Sequence, residues 1–449
     1  MTAPESPSRP APSWRKGWAV YLQPRVLIVL LLGFSSGLPL ALSGSTLLVW
    51  MRESGVDLGT IGLFALVGTP YTLKFIWAPL VDALHVPFFT RTFGRRRGWL
   101  VFSQLLLIAA ILLLALTDPA SSPLFVALGA LLVATMSSTQ DIVVDAFRVE
   151  SLPESEQAAG MASYVAAYRI GMLVSTAGAL FIVSGFEATG IPRGAAWMWG
   201  YVAMAALVLI GTVTALAATE PEQSAHAEAA TRAETAFTRV LRAAVGAFSE
   251  FLTRQDALAA LAFVVLFKFT DAFSGTMTAP FVIDIGFTRN DYAAIVKGVG
   301  LAATLIGGFA GGFVARRYSL ATSLWIGGLL QAIANLSFSW LAFVGVNQWA
   351  LAFAITAENF TSAIGTVIFV AYLSALCRNP LHTATQYALL TALAAVGRTY
   401  LSSGAGYVAK ATGWPLFFAI CVVVAVPSLI LLTYLQRRGH FEALGPVRV

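Results

Sequence analysis

Long apolar runs separated by short polar breaks fill almost the whole chain. Runs of helical length lie near 26–50, 58–83, 98–117, 123–149, 157–184, 194–218, 256–284, 291–315, 319–343, 347–377, 383–409 and 414–435. About 20 helical residues cross a hydrocarbon layer about 30 Å thick, so the pattern predicts about twelve membrane-spanning helices. The period-two strands of a membrane barrel, about ten residues each, do not fit runs this long. The one long polar break, from Glu220 to Arg254, holds Glu222, Gln223, Ser224, His226 and Glu228 and an amphipathic stretch around Phe237 to Phe251, and it divides the runs six and six. The organisation expected is therefore an all-α membrane protein. It has a tail at 1–25, a six-helix half at 26–218, a central loop at 219–255, a second six-helix half at 256–436 and a tail at 437–449.

Composition agrees with this class. Hydrophobic residues make up 58% and charged residues 11%, and the mean hydropathy is +0.77, which excludes a soluble globular domain. The first apolar run is too long for a signal-peptide core, so the Pro- and Ser-rich start, with Arg15, Lys16 and Arg25, is expected to remain as a tail. Basic residues alternate by loop. Arg91, Arg95, Arg96 and Arg97 follow the second run, Arg232, Arg239, Arg242 and Arg254 occupy the centre, Arg316 and Arg317 follow the eighth, and Arg437 and Arg438 close the last. The intervening loops hold only Arg52, Arg193, Arg289 and Lys410. The positive-inside rule then places both termini and the central loop in the cytoplasm. The net charge of +6 reports orientation and lipid contact, with no basic soluble domain to take nucleic acid. Cys377 and Cys421 are isolated, and His85, His226, His382 and His440 sit in loops or at helix ends. No metal site, cofactor or histidine-based catalysis is expected, and the chain does not read as an enzyme.

Charge inside the apolar runs is the main chemical signal. Gln140 to Glu150 reads QDIVVDAFRVE near the end of the fourth run. At about 100° per residue, Asp141, Asp145 and Arg148 leave a helix within about 60° of one another, while Glu150 points away. Buried charge of this kind normally faces a bundle interior or a water-filled cavity, or ties helices together. Other intrusions are Tyr71 and Lys74 in the second run, Tyr168 and Arg169 in the fifth, Lys268 and Asp271 three apart in the seventh, and Lys297 in the eighth. Glu358 and Asn359 follow in the tenth, and Gln386 and Arg398 in the eleventh. Opposite charges in similar numbers suggest pairing, and each pair could be a fixed interhelical bridge or part of a site. The glycines at 33, 37, 307, 308, 311, 312, 327 and 328 are expected to permit close helix approach or bending.

A faint internal repeat accompanies the six-and-six division. A shift of about 231 positions lays the turn at Gly55 on that at Gly286, and a shift of about 229 lays Ala166–Arg169 on Ala395–Arg398. Two related halves with a site between them at mid-membrane is an arrangement of many secondary transporters.

The segments LGFSSGLPLAL at 32–42, FIWAPLVD at 75–82, FGRRRGWL at 93–100, SSTQDIVVDA at 137–146, LFKFTDAF at 266–273 and ATQYALLTALAAVGR at 384–398 together resemble the AmpG muropeptide permeases. The similarity extends over nearly all twelve runs. It implies the major facilitator fold and proton-driven import of anhydromuropeptides, the N-acetylglucosaminyl-anhydro-N-acetylmuramyl peptides, across the inner membrane for wall recycling and β-lactamase induction signalling. Such a substrate needs amide donors, aromatic faces and charges of both signs. Lys74, Tyr71, Gln140, Tyr168, Arg169, Lys268, Lys297, Asn359, Gln386 and Arg398 are the candidate binding residues. Asp141, Asp145, Asp271 and Glu358 are the candidates for proton coupling, and Asp82, Arg95, Arg96, Arg97, Arg148 and Glu150 for gating or structure. The expected partners are the muropeptide, protons and lipid, acting on a monomer.

The chain departs from the superfamily's usual loop motif. A longer insert separates Asp82 from Gly94 and its arginines, and Arg316 stands in the second half where an acidic residue is expected. A related symporter for a siderophore or acetyl-CoA is the rival reading. A membrane-embedded acyltransferase or a non-transporting sensor is remoter, because no span carries a catalytic histidine or cysteine pattern.

Overall fold

The computed structural model describes residues 20–221, 252–253, 256–376 and 383–444. The central loop and its amphipathic stretch lie mostly outside the described residues, as do Cys377, His382 and the first nineteen positions. The described chain is helical throughout. The helices long and apolar enough to cross a membrane are α1 (Pro24–Glu53), α2 (Leu58–Ile76), α3 (Arg95–Ala115), α4 (Pro123–Ser151), α5 (Ala159–Ala188) and α6 (Arg193–Ala217) in the first half. In the second half they are α7 (Ala257–Ile285), α8 (Arg289–Arg317), α9 (Leu320–Val344), α10 (Gln348–Leu376) and α12 (Trp414–Arg437). The remaining apolar run forms α11, helical without a break from 383 to 412. The six-and-six architecture expected from the apolar runs is thus the architecture found.

Packing within each half depends on close backbone approach. At Gly37 of α1, a β-carbon would come within 2.1 Å of the Tyr168 carbonyl oxygen on α5, so only glycine permits this crossing. In the second half α8 packs on α10, with α9 beside α10 and α12. Two apolar cores stay within a half, one around Val26, Leu100 and Phe147 and one around Phe263, Ile368 and Leu432. A third crosses between the halves and joins Leu47, Trp50 and Ile61 to Met277, Phe281 and Tyr292. These residues lie toward one end of the bundle, where α1 finishes and α8 begins, and that end is sealed.

Besides α1 and α7, which meet in that core, α2, α5, α8 and α11 face the opposite half, and each of these four departs from regular α winding there. α2 tightens into a 3₁₀ turn at Phe64–Gly68, while α5, α8 and α11 widen into π windings at Val174–Gly178, Tyr292–Val299 and Gly397–Leu401. The windings of α5 and α8 touch each other, as do those of α2 and α11. Such segments release a backbone hydrogen bond from the regular ladder and are common at functional sites.

Candidate functional site

The charged intrusions assemble into two clusters, one in each half. On α4, Asp141 is buried, and Lys74 and Tyr71 of α2, Ser36 of α1, Tyr164 and Tyr168 of α5 and its own neighbour Asp145 all lie close enough to act on it electrostatically or by hydrogen bonding. Asp145 is more exposed and stands 3.9 Å from the Arg148 guanidinium. The shared face expected for Asp141, Asp145 and Arg148 is therefore present, with Asp141 the deeper carboxylate. Gln140 turns inward, fully buried, and donates from Nε2 to Ser36 Oγ at 3.3 Å.

In the second half, Lys268 Nζ donates to Asp271 Oδ2 at 2.7 Å and to Thr366 Oγ1 at 2.9 Å, and Ser362 Oγ donates to the same aspartate oxygen at 2.9 Å. The three-residue spacing of Lys268 and Asp271 thus yields a formed pair on one face of α7. On α10, Asn359 Nδ2 donates to Glu358 Oε2 at 2.8 Å and Asn359 Oδ1 accepts from Thr304 of α8 at 3.2 Å. Glu358 lies within electrostatic reach of Asp271, Lys268 and Lys297, and the Lys297 ammonium sits 5.5 Å from the centre of the Tyr292 ring.

Arg398 connects the clusters. It is exposed on the π winding of α11 and acts electrostatically on both Tyr168 of the first half and Asp271 of the second. Arg169 of α5 is exposed and also acts on Tyr168. Next to Arg398, the Thr399 hydroxyl meets Thr72 of α2 at 3.2 Å, a direct contact between halves. The Gln386 and Asp82 side chains lie outside the described residues.

The loop arginines have structural partners. Arg96 donates to both oxygens of Glu150, at 2.9 and 2.6 Å, and Arg95 reaches the same carboxylate at 3.2 Å. Glu220 accepts from the backbone amides of Arg96 and Arg97, which caps the positive end of α3, and Arg97 donates to the carbonyls of Ala215 and Leu216 at the negative end of α6. These bonds lock α3, α4 and α6 together at the end opposite the seal.

The sealed end carries a group that sequence reading assigned to loops. Arg289 of α8 is buried between two carboxylates of the other half, Glu53 at 2.7 Å and Glu187 at 3.0 Å, with its guanidinium carbon 5.3 Å from the centre of the Trp197 ring. Trp197 Nε1 donates to Glu53 at 3.2 Å. Arg52 pairs with Asp284 across the halves, and Trp414 Nε1 donates to that aspartate at 3.1 Å. An exposed pair, Lys410 with Asp57, stands beside them at 3.4 Å. Asp57 also caps α2. Its hydrogen bond with Thr60, helped by Lys410, holds its carboxyl below the usual carboxylate range. Acidic residues at span ends facing loop arginines were the only sequence signal for this latch.

The sequence model of the Major Facilitator Superfamily matches residues 29–401, most of the chain. An anhydromuropeptide permease of Escherichia coli is 39% identical over 92% of this chain and 80% of its own length. The chain belongs to the Major Facilitator Superfamily, among its AmpG-type permeases. A putative transporter AmpG 4 of Rickettsia felis is 34% identical over 92% of this chain and 97% of its own. Among solved structures, a nucleoside transporter, NupG, superposes with a TM-score of 0.68 at 13% identity, covering 94% of this chain and 100% of that one. A D-xylose-proton symporter superposes with a TM-score of 0.66 at 12% identity, covering 93% and 98%. These two likenesses establish the fold. Membership makes the protein a multi-pass membrane transporter, not an enzyme.

Proposed function

We propose that the protein imports anhydromuropeptides across the bacterial inner membrane, coupled to protons, by rocking its two halves about a central site. The observation that carries the reading is the placement of Arg398, which acts at once on Tyr168 and Asp271 in a chain 39% identical to an anhydromuropeptide permease. A muropeptide presents stem-peptide carboxylates, an amine, and two sugars rich in hydroxyl and acetamido groups. Arg169, Arg398 and the lysines suit the carboxylates, Tyr168 and Tyr71 offer aromatic faces, and Asn359 and Gln386 offer amides.

Both termini and the central loop are assigned to the cytoplasm by their basic residues, which puts the sealed end at the periplasm. The described conformation then holds its periplasmic side shut. Arg289, Glu53, Glu187, Arg52 and Asp284 form the latch that must open for substrate to enter, while Arg95, Arg96, Arg97, Arg148 and Glu150 brace the cytoplasmic end of the first half. Coupling requires a carboxylate whose protonation changes the balance between the two states. Asp141 is the first candidate, because it is buried in the wall and faces lysine, tyrosines and a second carboxylate. Asp145, Asp271 and Glu358 remain in the candidate set, and the unit is taken as a monomer in lipid.

The deciding experiment is uptake of labelled N-acetylglucosaminyl-anhydro-N-acetylmuramyl tripeptide into proteoliposomes with an imposed inward proton gradient. Accumulation that collapses with a protonophore and yields to unlabelled muropeptide is expected. Competition instead by a ferric siderophore or acetyl-CoA would reassign the substrate.

A further inference from the structure

Behind the wall that carries Asp141, the first half contains polar side chains with no hydrogen-bond partner among the described residues. Gln104 of α3 is fully buried, and neither its Oε1 nor its Nε2 has a hydrogen-bond partner. The Ser35 hydroxyl of α1 is fully buried and equally unpartnered, as is the Thr212 hydroxyl of α6, one residue from Gly211. The atoms converge. A β-carbon on Gly211 would lie 2.3 Å from Ser35 Oγ and 2.6 Å from Gln104 Nε2, so the two lie within about 5 Å of each other, the span one bridging water covers. Glycine at 211 is what lets both side chains come this close to the α6 backbone.

The same helix turn of α1 links this point to the transport site. Ser35 turns toward Gln104 and Gly211, and its neighbour Ser36 faces Asp141 and accepts from Gln140. One oxygen of Asp141 and the Oε1 of Gln140 are buried without a partner as well. Buried polar groups are normally paired, and where protein supplies no partner, ordered water with two to four bonds does so. The side chains that meet at Gly211, Ser35 and Gln104, are a neutral hydroxyl and amide, with no carboxylate between them to favour a metal cation.

We propose that the first half encloses a water-binding site between α1, α3 and α6, held by Ser35 and Gln104 across Gly211 and continuing through Ser36 and Gln140 to Asp141. It keeps Asp141 in contact with water from behind when a bulky substrate fills the cavity in front. The functional half of this inference rests on the proposed coupling role of Asp141; the hydration itself does not.

Hydration is tested by water-edited solid-state NMR on the full chain in liposomes, with ¹⁵N-labelled glutamine amides. The Gln104 peak is identified by its loss in Gln104→Met. Build-up from water as fast as that of exposed Gln348 is expected, and build-up limited by slow spin diffusion would overturn the site whatever the protein transports. The link to Asp141 is tested by the double variant Ser35→Ala, Gln104→Met, which removes the two side chains that hold the water and keeps Gly211. Gradient-driven uptake should fall at least fivefold while substrate counterflow stays within twofold. Equal change in both assays, or none in either, would overturn the link.

Discussion

Arg289 and Glu53 stand 236 positions apart in the chain and meet at 2.7 Å, one from each half, at the sealed end. Glu187 occupies the other side of the guanidinium, so removing one carboxylate leaves Arg289 buried with a single partner. Losing a charge-assisted hydrogen bond in such a place costs roughly 1–3 kcal/mol, and each 1.4 kcal/mol or so is a factor of ten in a two-state equilibrium. Glu53→Gln should therefore shift the halves toward opening by about tenfold. A cysteine replacing buried Thr72, in a background without Cys377 and Cys421, should react about tenfold faster with an impermeant thiol reagent in spheroplasts. Unchanged labelling would show that the latch does not hold the closed state.

The exposed pair beside it should behave differently. Lys410 and Asp57 are both largely open to water, and such pairs contribute about 0–1 kcal/mol, so Lys410→Ala should leave uptake and labelling nearly unchanged. Asp57→Ala should cost about 1 kcal/mol through loss of the α2 cap. Because the Asp57 carboxyl is depressed in the folded protein, its contribution is complete above the ordinary carboxylate range and is lost as pH falls through the folded value. Thermal melts of wild type and Asp57→Ala should thus converge in strong acid and differ at neutral pH.

Much of this was legible in the chain because a membrane restricts what apolar runs can do. Among the described residues eleven of the twelve runs became single spanning helices and the other became α11, and the three-residue spacings Lys268 to Asp271 and Asp145 to Arg148 became pairs on one helix face. Helical geometry fixes such neighbours locally. Contacts between halves leave no local trace, so Arg289 read as a loop charge, and nothing in the sequence marked the π windings of α5, α8 and α11. Gln140 shows the limit of face assignment. One step along α4 from Asp141, it is turned about 100° and packs against Ser36 inside the half.

The faint sequence repeat lays Arg169 of α5 on Arg398 of α11, and both side chains are exposed and act electrostatically on Tyr168. If they take a substrate carboxylate, as proposed, they do so through a planar fork that lysine lacks. Arg398→Ala should lower uptake at least a hundredfold with normal membrane levels, and Arg398→Lys should recover only part of the loss. Arg169→Ala should also abolish uptake. Normal transport by both alanine variants would make these residues peripheral.

The proposed orientation rests on charge alone and can be checked directly. Single cysteines between Glu220 and Arg254 should resist an impermeant thiol reagent in intact spheroplasts, whereas one at Gly190 should label. The reverse pattern would invert the protein and put the latch on the cytoplasmic side.

Asp141 and Asp145 share a face of α4 but not an environment. Asp145 is about half exposed and has Arg148 as its cation, while Asp141 is buried against Ser36, Lys74 and the tyrosines of α5. If the coupled proton resides on Asp141, the amide in Asp141→Asn imitates the protonated carboxyl permanently, and the cycle can exchange substrate but cannot be driven by a gradient. Asp141→Asn should then lose uphill accumulation and retain counterflow within a few-fold of wild type. Asp145→Asn should lower both assays together, through weaker anchoring of Arg148. Vesicles from one preparation, assayed with and without an imposed pH gradient, separate the outcomes. Full gradient-driven accumulation by Asp141→Asn would remove it from the coupling path and move the assignment to Asp271 and Glu358, whose carboxylates already share Lys268 as a neighbouring cation.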